Sequence, residues 1–139
     1  MKTMMEKIDH IGIVVHDFDK ALKLYRDILG LKVEKIEYNE KTKLKMAFVC
    51  IGETTFELIE ALDPSLVKKT LSLDLSKEGI HHIALKVDDI DGMLKKLKKN
   101  GIKVIHETPY AGARGARVSF IQPRSTMKTM LELVERGEK

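Results

Sequence analysis

Hydrophobic and polar positions along the 139-residue chain alternate in short runs, and between two of these runs the period lengthens to that of a helix. A β-branched run predicts a strand over 7–15. Ala21, Leu22, Tyr25, Ile28 and Leu29 then form one apolar stripe, opened by Asp17 and closed by Gly30, which predicts a helix from 17 to 29. Alternating runs over 31–38, 44–51 and 55–62 predict three more strands. The polar turn 39–43 and the tight turn Gly52-Glu53-Thr54 separate them. After a connecting segment, in which Pro64 opens a short helix over 65–71, the order repeats. A strand is predicted over 80–87 and a helix over 90–99, capped by Asp88 or Asp89 and stopped by Asn100-Gly101. Strands over 102–107, 116–122 and 130–135 complete the set.

The repeat is written in residues as well as in pattern. Setting His10 on His82, an offset of 72 positions (82 less 10), also sets Ile8 on Ile80, Ile11 on Ile83, Val15 on Val87, Asp17 on Asp89 and Asp19 on Asp91. The last strands agree too: Phe56-Glu57-Leu58-Ile59-Glu60 matches Leu131-Glu132-Leu133-Val134-Glu135. Self-similarity at a fixed offset means two copies of one supersecondary unit. The fold class expected is α+β, with tandem βαβββ modules at about 7–62 and 80–135, joined by a linker at 63–79, in one domain over 1–139.

Composition narrows the function. Charged residues make up 33% of the chain and the net charge is only +4, with lysines spread along helix faces and few aromatics among them. Nucleic acid is therefore not an expected partner, whereas an anionic small molecule suits the charge. Cys50 is the single cysteine and sits in an apolar run, so it reads as a buried structural thiol in a reducing compartment. No signal peptide or bilayer-spanning stretch is visible, and a cytoplasmic location with no membrane partner is expected.

Each module carries one histidine on its first strand and one glutamate on its fourth. Side chains alternate faces, so His10 shares a face with Gly12 and His82 with Ala84, small neighbours that leave room beside the imidazoles. Glu57 and Glu132 lie between apolar neighbours, which is costly for a carboxylate without a partner or a cation. Two imidazoles and two carboxylates suit a divalent first-row metal, and the set does not choose among Co, Mn, Ni, Zn and Fe. Glu60 and Glu135, on the other face, are expected in solvent. His81 falls opposite His82, and His16 and His106 are expected at the surface.

These residues, with Gly79-Ile80-His81-His82-Ile83-Ala84, Gly112-Ala113-Arg114-Gly115 and Gln122-Pro123-Arg124-Ser125-Thr126, resemble the vicinal oxygen chelate superfamily, most closely its methylmalonyl-CoA epimerase branch. The resemblance implies a cupped, mixed glyoxalase-like sheet, one divalent metal per chain held by His10, Glu57, His82 and Glu132, an acyl-CoA substrate and a homodimer. It also implies interconversion of (R)- and (S)-methylmalonyl-CoA by α-proton transfer. A glutamate proposed as base in one epimerase branch falls at about Met46, which carries no proton. Glu132 is then the first candidate for ligand and base, and Glu57 the second. Arg114, Arg117 and Arg124 are candidates to hold the anionic substrate by forked hydrogen bonds. A glyoxalase I-type lyase is the alternative enzyme; its usual late Asp-Pro-Asp-Gly turn is replaced by Gln122-Pro123-Arg124-Ser125. A ring-cleaving dioxygenase would leave Glu57 without a role, and a metal-free binding protein of the same fold would not require the His/Glu set.

Overall fold

A computed structural model describes residues 5–137. They form two compact units, one of residues 10–81 and one of residues 82–137 with 5–9. In the first, strands β2 (Lys32–Asn39), β3 (Leu44–Ile51) and β4 (Thr54–Ala61) and the second half of β1 (Met5–Val14) lie in the order β2-β3-β4-β1. The β2–β3 and β3–β4 pairs are antiparallel hairpins, whereas β1 and β4 run parallel. A parallel pair needs a long crossover, and the helix supplied by the first apolar stripe provides part of it. Val15, Phe18, Ala21, Leu22, Ala47, Val49 and Leu58 close the core between helix and sheet.

That helix differs from the expected one. Helix α1 (Phe18–Leu22) passes at once into a π-helical stretch, Lys23–Ile28, with Leu29 N–H bonded to Leu24 O at 2.8 Å. The wider turn carries Tyr25 edge-on to Phe56, with ring centres 6.0 Å apart. Gly30, with φ of +75°, stops it in the left-handed conformation that side chains disfavour. Helix α2 (Pro64–Leu71) follows, its first turn capped by Asp63 and Val67 fully buried.

The second unit holds β5 (Gly79–Val87), α3 (Ile90–Lys99), β6 (Tyr110–Ala111), β7 (Arg117–Ile121) and β8 (Leu131–Glu135), in the order β5-β8-β7-β6. Again the first and last long strands, β5 and β8, pair in parallel. Val87, Ile90, Met93, Leu94, Ile121 and Leu133 pack α3 onto the sheet. Asp89 caps α3 through Gly92 N–H as Asp17 caps α1 through Lys20 N–H. The architecture is thus α+β, with the βαβββ order twice.

The strand expected over 102–107 does not form. Only an isolated bridge joins Val104 to Ile121, and β6 is two residues long. The His106 ring explains part of this: its Nδ1 accepts Phe120 N–H at 3.2 Å, so a side chain takes an amide that a continuous ladder would use. Serine contributes as well, since Ser119 Oγ donates to the His106 carbonyl.

Glu60 and Glu135, expected in solvent, instead receive helix N-termini. Phe18 N–H donates to Glu60 Oε1 at 3.2 Å, and Ile90 N–H to Glu135 Oε2 at 3.1 Å. The first amides of a helix lack intrahelical acceptors and carry partial positive charge, which is what a carboxylate from the neighbouring strand satisfies. Arg117 completes this arrangement in the second unit. Its guanidinium bonds both oxygens of Asp91 at 2.9 and 3.0 Å and Glu135 Oε1 at 3.0 Å. The hydrogen bond from Arg117 holds the Asp91 carboxyl below its ordinary range, and Asp91 and Glu135 together push the guanidinium up. Among the described residues, no helix is long and apolar enough to cross a membrane.

Two outcomes are expected. Glu60→Ala strips the start of α1 of its acceptor and lowers stability by about 1 kcal/mol in urea unfolding, with Glu60→Gln recovering most of the loss. For Asp91 the folded value lies below the unfolded one, so its contribution is complete above the unfolded range, about pH 4, and disappears as pH falls through the folded value. Asp91→Asn therefore melts below wild type at pH 7, and the gap closes as the two are compared towards pH 2; a constant gap would show that charge is not the cause.

Candidate metal centre

In each unit the parallel strand pair sets the same geometry from the backbone upward. β1 and β4 are in a register that pairs His10 with Thr55 and Gly12 with Glu57. His10 and Glu57 thus emerge on one face, two residue pairs apart, with Gly12 directly beside the glutamate. Their side chains meet, with His10 Nε2 3.0 Å from Glu57 Oε1. In the other unit β5 and β8 place Ala84 beside Glu132, and His82 Nε2 lies 3.2 Å from Glu132 Oε1. The repeat seen in the sequence therefore extends to the contacting atoms. Had Gly12 or Ala84 been large, its side chain would occupy the space that the glutamate crosses to reach the imidazole.

All four residues are buried, with exposures of only 4–6%. Burial disfavours an isolated carboxylate, and a buried imidazole–carboxylate pair needs a shared proton or a bound cation between its facing lone pairs. Nitrogen and carboxylate oxygen donors are the types that hold divalent first-row ions, so the residues present fit such a group. Phe120 packs edge-on against the His82 ring, centres 5.0 Å apart, and fixes its plane.

His106 and Tyr110 extend that wall, which the sequence did not disclose. The His106 ring lies 4.7 Å from Tyr110 and 5.8 Å from Phe120. Register puts Phe120 opposite Glu132 and Val118 opposite Val134, so these rings line the face that carries His82. His106 is half-buried there, not at the surface. His16 is exposed as expected, but its ring bonds the Ser76 carbonyl and its amide bonds Glu78, anchoring the connecting segment. His81 is half-buried, on the face opposite His82. Cys50 is half-buried rather than buried, its Sγ 3.6 Å from Glu34 Oε1.

The three candidate arginines part company. Arg117 alternates with Phe120 and so lies on the helix-covered face, engaged with Asp91 and Glu135. Arg124 is exposed in the 3-10 turn Pro123–Thr126. Arg114 stands in a left-handed backbone conformation, φ +57°, with its guanidinium 3.9 Å from Asp9. Asp9 itself is buried and gripped by a fourth arginine that sequence reasoning passed over. Arg136 donates from Nε to Oδ1 at 3.1 Å and from Nη2 to Oδ2 at 2.7 Å, a forked bond that fixes the residue just before His10. The sequence hint was Asp9, a charge between Ile8 and His10 at the start of an apolar run, in need of a partner if buried.

The chain is 34% identical over 131 residues to an uncharacterised protein of Bacillus subtilis, YqjC, covering 94% of this chain and 93% of that one. It is 31% identical to the mitochondrial methylmalonyl-CoA epimerase of Dictyostelium discoideum, covering 94% of this chain and 78% of that one. The crystal structure of methylmalonyl-CoA epimerase from Mycobacterium tuberculosis superimposes with a TM-score of 0.84 at 30% identity, covering 96% and 90% of the two chains. Residues 9–120, a span that takes in both histidine strands, match the family model, and the chain belongs to the Glyoxalase/Bleomycin resistance protein/Dioxygenase superfamily.

Proposed function

We propose that this chain is a metal-dependent isomerase that moves the α-proton of an acyl-CoA thioester, interconverting (R)- and (S)-methylmalonyl-CoA. The observation that carries the reading is the duplicated buried pair: His10 Nε2 with Glu57 Oε1 at 3.0 Å and His82 Nε2 with Glu132 Oε1 at 3.2 Å. The two epimerases named above act on methylmalonyl-CoA by their names, and identity near 30% over most of the chain supports the same substrate class.

His10, Glu57, His82 and Glu132 would hold one divalent ion; Co, Mn, Ni and Zn all accept this donor set. Bound there, the ion supplies Lewis-acid stabilisation of the charge that develops on the thioester oxygen. The side chains supply the rest. Glu132 is the first candidate to take the C2 proton and Glu57 the second. A carboxylate serves because it can accept a proton from carbon and return it within hydrogen-bond reach of the substrate. The C–H electron pair passes into the thioester as an enolate, and return of a proton to the opposite face completes the inversion. Arg114, with its guanidinium one-fifth exposed beside Asp9, is the first candidate to hold an anionic group of the substrate. Exposed Arg124 is the second, and Arg117 is the weakest of the three because its donors are committed. A homodimer and a cytoplasmic location belong to the same reading and rest on the family resemblance and the single thiol.

A glyoxalase I-type lyase uses a similar donor set, and the substrate decides between them. Protein purified without a His-tag is expected to contain about one divalent ion per chain, and His82→Ala far less; wild type free of metal after growth in supplemented medium would leave the metal-free binding protein as the better description. Incubated in heavy water with (S)-methylmalonyl-CoA, the loaded protein should deuterate C2 and racemise it. Glu132→Gln should slow that exchange by at least about 100-fold, and an unchanged rate would remove Glu132 as the base.

A further inference from the structure

Past Gly101 the chain runs beside β7 without becoming a strand. Ile105 N–H donates to Phe120 O at 2.7 Å and Gln122 N–H to Lys103 O at 3.0 Å, around the Val104–Ile121 bridge. Beyond that point the His106 ring takes the Phe120 amide. The segment is held to the sheet at these few points, and a cavity of about 440 Å³ stays between it and α3. The cavity lies wholly within the unit that holds residues 82–137. It opens on the helix-covered face, and neither His82 nor Glu132 lines it.

Its inner wall is apolar. Leu94 belongs to the core under α3, and half-buried Ile102 and Val104 pack against that core and also line the cavity. The rim is basic. Lys95 and Lys98 stand one helical turn apart on α3, and Lys103 comes from the facing segment. The backbone of Lys103 is fixed on both sides, its N–H donating to Ser125 Oγ at 3.1 Å and its carbonyl accepting Gln122 N–H. Two acids reach the cavity. Asp91 is already engaged, both its oxygens accepting from Arg117, which leaves Glu107. Three ammonium groups less one carboxylate give a surplus of two positive charges around an apolar recess. Lysines in the last turn of a helix ordinarily answer its dipole. Lys103 lies past that turn on another segment, so the dipole does not account for it.

Volume, lining and charge together select a ligand. A cavity of several hundred Å³, apolar with a few polar groups, is the usual form of a small-molecule site. A phosphate monoester carries about two negative charges at pH 7, which matches the surplus. Lysines bind phosphate as point charges and need no forked geometry. The apolar wall suits a single ring system or a short chain, and a two-chain phospholipid exceeds the volume. We propose that this cavity is a binding site for a small, soluble phosphate monoester. Its apolar body lies against Leu94, Ile102 and Val104, its phosphate among Lys95, Lys98 and Lys103, and the Gln122 amide meets the polar edge of the body. The site is separate from the metal centre and does not depend on the isomerase reading.

Naphthyl phosphate, whose fluorescence reports its surroundings, is the probe. Titrated into the wild-type protein it should bind saturably, with inorganic phosphate and naphthol each at least about 10-fold weaker because each supplies half of the contacts. Raising salt from about 50 to about 500 mM should weaken binding. Lys98→Gln and Lys103→Gln, at exposed positions outside the core, should melt near wild type. Each should bind the probe about 5- to 10-fold more weakly. In NMR spectra the amide signals of residues 91–104 should shift on binding, while those of β8 around Glu132 stay in place. Treatment with a chelator should leave the affinity unchanged. No saturable binding, or affinity that survives both lysine substitutions, would overturn the assignment. Probe binding that is lost with the chelator, or that shifts β8 instead of α3, would place the anion at the metal centre and overturn it equally.

Discussion

The parallel pairing of first and fourth strands is the constraint on which the rest depends. It occurs once in each unit, and both times it sets a small residue directly beside a glutamate and a histidine two pairs away. Parallel ladders are somewhat weaker per residue than antiparallel ones and need a crossover to close. Here the helix of each unit supplies both the crossover and the apolar cover, so the pairing survives on the burial of Leu58 in one copy and Leu133 in the other, both fully removed from solvent. A chain able to form only hairpins would bring neither histidine to its glutamate.

Electrostatics is distributed between the faces of these strands. On one face the glutamates meet imidazoles. On the other, Glu60 and Glu135 meet the amides that begin α1 and α3. Each last strand thus carries two acids with opposite duties, and helix placement and donor placement are tied to the same backbone. The second unit adds Arg117 as a bridge between Glu135 and Asp91, while the Arg136 fork on Asp9 secures the residue before His10.

Most of the architecture was legible in the sequence. Alternation located the long strands to within a residue or two, and the repeat separated His82 from His81 because only one of them has a counterpart in His10. What escaped had physical causes. The ladder over 102–107 lost an amide to the His106 ring, an event that no pattern of apolar residues encodes. The π-helical turn is not written in the apolar stripe, and it leaves two of the stripe's five members, Ile28 and Leu29, exposed. Arg136 lies 127 positions from Asp9, and its fork depends on folding that a local reading does not reach. Arg117 looked like its neighbours in a basic loop until strand alternation put it on the helix side. The donor set was visible because it was written twice.

The three-residue spacing of Glu57 to Glu60, and of Glu132 to Glu135, bears on how such a chain tolerates change in length. An odd spacing along a strand assigns the two acids to opposite faces. A single residue inserted between them would turn one acid onto the wrong face, leaving either an imidazole or a helix start without its partner. The same insertion in the turn Gly52–Glu53 would disturb neither. Length variation among natural versions of this fold should therefore collect in hairpin turns and connecting segments, with the five residues ending each last strand kept at constant count.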